Sequence, residues 1–236
     1  MVRTIGIQGA TMKYAACILF GLFFTLVPAE TMGIEYNCTD SEILALEFSQ
    51  AVSPPEDLVT RITGDLQAVR QFDPFFDQIV VRPSWIPSEL RVLLTPEAMQ
   101  DFLEGIYHGL DELNDLYGPV VMDQLFGSDY LVVTFDLCYS PPELAEIYGE
   151  ANGVVTATPN VSMLDGHDIE LLDLVLNFSR YEYRYGWMDC ESGCIYSHYW
   201  LINVVGGNVE IVDEYGDPIV VPVQGLSWSA VKGVFR

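Results

Sequence analysis

The architecture expected for this chain follows from residues 89–116, ELRVLLTPEAMQDFLEGIYHGLDELNDL. The apolar run at the start predicts a short strand over residues 89–95. A long helix is predicted over residues 96–116, because its apolar residues recur at intervals of three and four and so form one buried face. Thr95 and Pro96 favour a helix start there, since the hydroxyl caps the first turn and proline needs no amide partner at the first helical position.

The elements that follow complete a β-α-β-β-α-β order. Two strands joined by a turn at Gly127-Ser128 precede a short helix and a last strand, with predicted spans of 120–126, 130–135, 141–150 and 154–158. This order is that of the split βαβ, or ferredoxin-like, arrangement, in which an antiparallel sheet buries one face under both helices.

Two helices are predicted before this unit and an antiparallel β-meander after it. The helices have apolar stripes over residues 41–52 and 55–71, and strand patterns separated by glycine turns occur at 173–187, 195–205, 209–212 and 219–223. We therefore predict an α+β protein in three parts after a leader. These parts are a helical segment (30–74), a ferredoxin-like domain (75–163) and a β-meander with a disulfide-tipped hairpin (164–236).

The second half of the ferredoxin-like unit carries a family resemblance. The helix PPELAEIYGEANGV runs into the strand VVTATPN, with a Gly-Val step at Gly153 and Val154 and a Pro-Asn pair at Pro159 and Asn160. Residues 85–162 thereby resemble the propeptide or inhibitor domain of subtilisin-like proteases. The resemblance implies a domain that assists the folding of a protease and blocks its active site. No protease domain has a counterpart in the 236 residues, so the resemblance implies the fold more directly than the blocking role.

The first thirty residues are typical of a secretory signal peptide. Residues 14–29, YAACILFGLFFTLVPA, form an uncharged apolar run that follows Arg3 and Lys13 and ends in small residues. A membrane span needs about 20 apolar residues, and this run is shorter than that. We predict cleavage after Ala29 and a secreted or periplasmic protein with no stable membrane span. An uncleaved anchor is the alternative.

The charge balance excludes some partners and favours others. Half of the 236 residues are hydrophobic and 12% are aromatic, a composition that excludes a disordered chain. The chain has 10 Lys+Arg against 34 Asp+Glu, a formal charge of −24 that becomes −26 once residues 1–29, with their two basic side chains, are removed. No basic patch is available for nucleic acid, so nucleic-acid binding is not expected. The expected partner is a secreted protein or a polysaccharide, and the negative charge would attract a basic one.

Cysteine usage agrees with export. Cys17 lies in the leader, which leaves four cysteines, an even number that favours two disulfides in an oxidising compartment. Cys190 and Cys194 are close enough to bridge across a turn, and Cys38 would then pair with Cys138. Four cysteines allow three pairings, so this pairing is a hypothesis. A zinc site is the alternative, although the C-x3-C spacing has no second pair of ligands at metal-binding spacing.

An aromatic band is predicted around the tip of the hairpin. Residues 186–200, GWMDCESGCIYSHYW, resemble a motif of uncharacterised secreted bacterial proteins with a Trp-x-Asp-Cys…Gly-Cys…Tyr-Trp core. Because side chains alternate along a strand, every second residue shares a face. Tyr181, Tyr183 and Tyr185 therefore lie on one face of the first strand, and Tyr196, His198 and Trp200 lie on one face of the second. We expect cross-strand packing; the alternative is a platform that binds a sugar ring or a peptide through Tyr181, Tyr183, Tyr185, Tyr196 and Trp200.

Candidate catalytic and metal-binding residues are few. His198 lies near Asp189 and Glu191 in sequence, which is the basis for a hydrolase or lyase alternative. Asp165 and Asp168 lie in a polar turn and could offer oxygens to calcium, although the EF-hand spacing is absent. No phosphate-binding loop, GxGxxG fingerprint, HExxH or haem motif occurs in the sequence, so no cofactor is predicted.

These observations favour a secreted, non-catalytic binding module that resembles a protease inhibitor and acts on a protein or polymer partner. The first alternative is an extracellular hydrolase or lyase with its site around Asp189, Glu191 and His198. The second is a structural component of the cell envelope that is held together by its disulfides.

Overall fold

The structure is a computed structural model that describes residues 38–162, 165–190 and 193–219. The expected signal peptide at 1–29 lies outside these residues, and so does the expected strand 219–223 apart from Ile219. Among the described residues, no helix has the length and apolar character needed to cross a membrane.

The described chain is a mixture of helices and strands in an order close to that predicted. Five α-helices are described, namely α1 (Asp40–Ser49), α2 (Glu56–Phe72), α3 (Pro96–Leu103), α4 (Asp111–Tyr117) and α5 (Pro141–Gly149), with a short 3-10 helix at Pro74–Gln78. The first four strands are β1 (Trp85–Leu94), β2 (Pro119–Gln124), β3 (Tyr130–Phe135) and β4 (Val154–Val161). The last four are β5 (Asp168–Val175), β6 (Phe178–Trp187), β7 (Tyr196–Val205) and β8 (Asn208–Gly216).

Local side-chain chemistry accounts for several helix ends. Thr95 accepts a hydrogen bond from the amide of Ala98 at 3.2 Å, and Pro96 occupies the first helical position of α3, as the sequence predicts. Thr39 caps α1 by accepting from the Glu42 amide while the Glu42 carboxylate accepts the Thr39 amide at 2.7 Å, which is a capping box.

The first sheet is antiparallel and has the strand order β2-β3-β1-β4. Alternate residues are buried from Leu90 to Leu94 of β1 and along β3, because there each strand places every second side chain on the face that the helices cover. Helix α5 closes this core, in which the fully buried residues include Leu90, Val92, Leu131, Val133, Leu144 and Tyr148.

The second sheet is an antiparallel meander with the strand order β5-β6-β7-β8. Helices α1 and α2 and the 3-10 helix pack on one of its faces, so the N-terminal helices share a core with the C-terminal strands. Residues buried in this second core include Ile43, Ile62, Phe76, Tyr181, Tyr183 and Ile202.

Two predicted elements differ from the structure. The long helix predicted over 96–116 is two helices, because Gly105 adopts a left-handed φ of 73° after the end of α3 and the chain turns before α4. Leu103 and Ile106, which the helical pattern would bury, are each 56% exposed. The strand predicted over 173–187 is a hairpin, since Leu176 and Asn177 form a two-residue turn between the paired residues Val175 and Phe178.

Two adjacent tyrosines in the second core predict opposite effects of the same substitution. The Tyr181 hydroxyl donates to Asp65 Oδ2 at 3.0 Å, whereas the buried Tyr183 hydroxyl has no hydrogen-bond partner among the described residues. We expect Tyr181→Phe to lower the free energy of unfolding by about 1 kcal/mol and Tyr183→Phe to raise it by a similar amount, because a buried unpaired hydroxyl is costly. Urea unfolding of the two variants measures this, and a loss of stability in both would contradict it.

Candidate functional site

The aromatic band of the hairpin is mainly part of the core. On β6 and β7 the alternation is as predicted, with Tyr183 opposite Trp200 and Tyr181 opposite Ile202 on the buried face. Tyr181 and Tyr183 are fully buried and Trp200 is 6% exposed. These three rings therefore cannot contact a ligand, which corrects their place in the predicted binding platform and supports the packing interpretation.

The band reaches the surface only at its outer end. Tyr185 stacks on His167 with ring centroids 4.4 Å apart, and Trp187 stacks on Tyr196 at 5.6 Å. Tyr196 is 40% exposed, whereas Tyr185 is half-buried. Of the predicted platform residues, Tyr185 and Tyr196 are therefore the ones with accessible surface, and their rings already stack on protein neighbours.

Both predicted disulfides are formed. Cys38 is bonded to Cys138, which ties the chain just before α1 to the loop that precedes α5. Cys190 is bonded to Cys194 at the tip of the β6–β7 hairpin. The pairing hypothesis is confirmed, and these four sulfur atoms are consequently not available to zinc.

Asp165 holds the disulfide tip in place. Its two carboxylate oxygens accept hydrogen bonds from Arg184 Nη1 at 2.6 Å and Arg184 Nη2 at 3.0 Å, and Oδ2 also accepts the Cys194 amide at 2.8 Å. The hydrogen bond with Arg184 is the main cause that lowers the pKa of Asp165 to about 2. Because both oxygens are occupied by donors, Asp165 has a structural role rather than that of a calcium ligand.

Asp168, the other calcium candidate, is also engaged by the protein. Its Oδ1 accepts the backbone N–H groups of Arg82 and Ile169, each at 2.8 Å. Nowhere in the described ranges do three or more His, Cys, Asp or Glu side chains cluster in a way that could hold a metal ion. The calcium interpretation of Asp165 and Asp168 therefore receives no support from their geometry.

His198 does not form the predicted catalytic group. The buried ring donates from Nδ1 to the backbone oxygen of Asp217 at 2.8 Å, and Nε2 lies 3.0 Å from Glu214 Oε1 but outside hydrogen-bonding alignment. Asp189 follows β6 in a left-handed conformation with φ 55° and makes no ion pair with His198 among the described residues, while Glu191 lies outside them. The neighbouring carboxylate is thus Glu214 on β8, which the sequence did not point to.

An acidic cleft was missed by the sequence patterns. A cavity of about 610 Å³ opens between α1, the segment 82–85, the start of α5 and strand β5. Its charged lining consists of four carboxylates and one guanidinium, from Glu47, Glu143, Asp168, Glu170 and Arg82. Arg82 is the one cation of this lining, and its Nη1 donates to the backbone oxygen of Asp165 at 3.2 Å.

Two carboxyl groups of the cleft, Glu47 and Asp168, ionise less readily than usual, mainly because they are desolvated. Desolvation by the cleft walls, followed by repulsion from Asp168 and Glu170, raises the pKa of Glu47 to about 7. Desolvation likewise raises the pKa of Asp168 to about 6, although its hydrogen bonds with backbone amides oppose the shift. Glu47 itself remains solvent-accessible at the cleft mouth, so a cationic group from another molecule can reach it. The site is therefore a negatively charged recess that is short of cations.

No protein-family model, curated protein or solved structure matches this chain. The acidic cleft is accordingly characterised by its own geometry. Its two principal walls, α1 and β5, are far apart in sequence, and Glu47 appears in the sequence only as an acid between the apolar residues Leu46 and Phe48 of a helix. No spacing pattern could have brought Glu47 and Glu170 together.

The raised pKa of Glu47 predicts a pH dependence of stability. A carboxyl group with a higher pKa in the folded state binds its proton more tightly there, so folding is favoured as the pH falls from about 7 towards about 5. We expect the melting temperature to rise over this interval and Glu47→Gln to reduce the rise. Glu146→Gln, an exposed control on α5, should leave it unchanged. A melting temperature that is constant over this interval, or equal slopes in the two variants, would contradict the assignment.

Proposed function

We propose that the protein is an exported, non-catalytic binding module that recognises a basic region of a partner protein through the acidic cleft. The observation that carries this proposal is the recess lined by Glu47, Glu143, Asp168 and Glu170, whose single guanidinium is held by a backbone oxygen. Carboxylates that destabilise one another gain most from an external cation, because it removes their mutual repulsion.

Export is the second part of the proposal. The two disulfides of the described chain are the kind of bond that persists in an oxidising compartment. The leader pattern at residues 1–29 supports the same location, and the acidic composition would keep the exported chain soluble. Mass spectrometry of native material tests this: a start at Glu30 is expected, and an intact N-terminus with free thiols would contradict export.

We further propose that the unit from β1 to β4 is ferredoxin-like and related in form to protease propeptide domains. The element order and the antiparallel strand order β2-β3-β1-β4 support this classification. An inhibitor-like function would then be tested by titrating a subtilisin-like protease with the full chain. Loss of protease activity at micromolar protein is the expected result of an inhibitor, and full activity would remove that version of the proposal.

Binding of a basic segment is tested by calorimetric titration. The probe is the peptide Thr-Lys-Val-Lys-Val-Lys-Val-Lys-Thr, and the control peptide replaces every Lys by Glu. We expect micromolar binding of the basic peptide and no binding of the acidic one. The double variant Glu47→Lys/Glu170→Lys should weaken binding by about 2 kcal/mol, or roughly 30-fold, because each reversal replaces an attraction of up to about 1 kcal/mol by a repulsion.

A matched double variant distinguishes the effect of the cleft carboxylates on peptide binding from the effect of the overall net charge. Asp123→Lys/Glu210→Lys changes the net charge by the same amount, at exposed positions on the edge strands β2 and β8, both outside the cleft lining. This control should bind the peptide within about twofold of the native chain, since screening removes distant charges from the balance. Equal weakening in both double variants would show that the peptide responds only to net charge.

A hydrolytic function is the second candidate, favoured by one observation. Glu47 and Asp168 line the same cleft and both have raised pKa values, as is common for groups that exchange protons in active sites. Assays of the native chain with chromogenic glycoside and peptide substrates test it. Turnover that is lost in Glu47→Gln would support this candidate over the binding module.

A further inference from the structure

The free edge of strand β5 borders the acidic cleft. β5 is the outermost strand of its sheet and pairs with β6 alone among the described strands. Four consecutive residues, 168–171, line the cavity. Successive side chains of a strand point to opposite faces, so a cavity lined by four in a row runs along the backbone edge rather than over one face.

The hydrogen bonds of this edge indicate which backbone groups face the cleft. The Ile169 amide donates to the Asp168 side chain at 2.8 Å, which places it on the side away from β6. Residues of an antiparallel strand alternate between facing the neighbouring strand and facing away. The pairing of β5 with β6 is regular from Asp168 to Leu171, before a register shift between Leu171 and Asp173, so Leu171 also directs its N–H and C=O outward. Asp168 already occupies the first outward amide, whereas no turn, loop or side-chain group of the described chain bonds to the backbone of Leu171.

The side chains beside this edge disfavour its pairing with the same edge of a second copy of the chain. Exposed strand edges tend to pair with other strands, and charged residues are one of the common protections. Here the nearby exposed charges are all acidic, from Glu47, Glu170 and Asp173. Pairing two such edges would bring carboxylates together, whereas a strand with basic side chains would neutralise them.

The same edge also offers apolar contacts. Leu172 and Val175 on β5 are 43% and 55% exposed, and Leu176 in the following turn is 89% exposed. Glu170 and Asp173 share the solvent face of β5 with Leu172 and Val175, because Ile169, Leu171 and Leu174 face the core. An added partner strand would therefore place its basic side chains on that face, beside the carboxylates and these exposed apolar residues.

We infer that the cleft binds an extended, lysine- or arginine-rich segment of a partner protein as an added strand on β5, with the partner's backbone bonded to Leu171. This inference rests on the proposed binding function and adds the conformation of the bound segment. Any extended segment could form hydrogen bonds with the backbone of β5. The carboxylates of the cleft make this binding selective for segments with basic side chains.

A backbone methylation scan of the basic peptide tests the inference on the unaltered full chain. Each amide of Thr-Lys-Val-Lys-Val-Lys-Val-Lys-Thr is N-methylated in turn, and each peptide is titrated by calorimetry. We expect roughly tenfold weaker binding where the methyl group replaces either of the N–H groups that face Ile169 and Leu171, and little change at the position between them, whose amide faces solvent.

The possible outcomes separate this inference from the function beneath it. If the unmodified peptide fails to bind, both the proposed function and the added strand are wrong. A second outcome is that the peptide binds, that Glu47→Lys/Glu170→Lys weakens its binding, and that all the methylated peptides bind with equal affinity. The binding function then stands, and the added strand is excluded. Sedimentation of the chain alone should show a monomer; a dimer that dissociates when the peptide is added would assign the edge to a second copy instead.

Discussion

Replacing both Cys38 and Cys138 by serine is expected to lower the free energy of unfolding by about 4–5 kcal/mol. The bond joins residues 100 positions apart, so its loss restores a large amount of conformational freedom to the unfolded chain. It also ties the start of α1, which packs on the second sheet, to the loop that precedes α5, which packs on the first. Urea unfolding measures the difference, and the m-value is expected to rise in the variant because its unfolded chain is less compact.

The second disulfide is the natural control for this prediction. Cys190 and Cys194 are separated by only 4 positions, so the same model gives a loss of about 2 kcal/mol for the double serine variant. That loss should also be local, because Asp165 still fixes Arg184 when the bond is absent. Equal destabilisation by the two double variants would show that loop closure is not what the long-range bond contributes.

Trp200→Ala is expected to lower the free energy of unfolding by about 3–5 kcal/mol. The Trp200 ring packs edge-on against Phe75 and Phe76 at centroid distances of 5.4 and 5.3 Å, and it lies opposite Tyr183 across the sheet. Truncation would leave a cavity where the 3-10 helix meets the meander, and the surrounding rings are too constrained to fill it.

Two further variants keep this prediction testable. Trp200→Phe retains an aromatic ring and should lose less than half as much stability, so it reports on the site even if the alanine variant does not fold. Tyr196→Ala, at the exposed end of the same strand face, should change stability by no more than about 0.5 kcal/mol. A loss at Tyr196 as large as that at Trp200 would mean that the outer end of the band, too, supports the core.

The local elements were largely predictable from the sequence. The strand at 130–135 and the helix beginning at Pro141 have the predicted starts, because alternation and a proline at the first helical position are signals contained in a few neighbouring residues. The helix predicted over 96–116 is too long for the same reason: the apolar spacing continues past Gly105, and periodicity alone does not reveal a left-handed glycine.

The relation between distant segments was not predictable. Nothing in the apolar stripe of α2 specifies that it packs on β6 and β7 rather than on the nearer first sheet, because both surfaces are apolar. The acidic cleft depends on this packing, since it places α1 beside β5. The candidate site at His198 failed similarly: Asp189 is near in sequence, but the sheet register brings Glu214 to the ring instead.

Asp165 is a partial exception. The sequence indicates a polar, oxygen-rich turn there, which is correct, but the spacing of carboxylates alone does not distinguish a calcium ligand from a partner of arginine. The structure shows that the outcome depends on Arg184, which lies on the neighbouring strand with its guanidinium directed at Asp165. Sequence patterns that count only acidic residues overlook such a basic partner.

Amide hydrogen exchange at Leu171 tests the central claim most directly. The exchange rate of this amide is measured in the full chain with and without saturating Thr-Lys-Val-Lys-Val-Lys-Val-Lys-Thr. An added strand predicts that bound peptide slows exchange at Leu171 while the amides of edge strand β8 are unaffected. Unchanged exchange at Leu171, with the peptide demonstrably bound, would contradict the account.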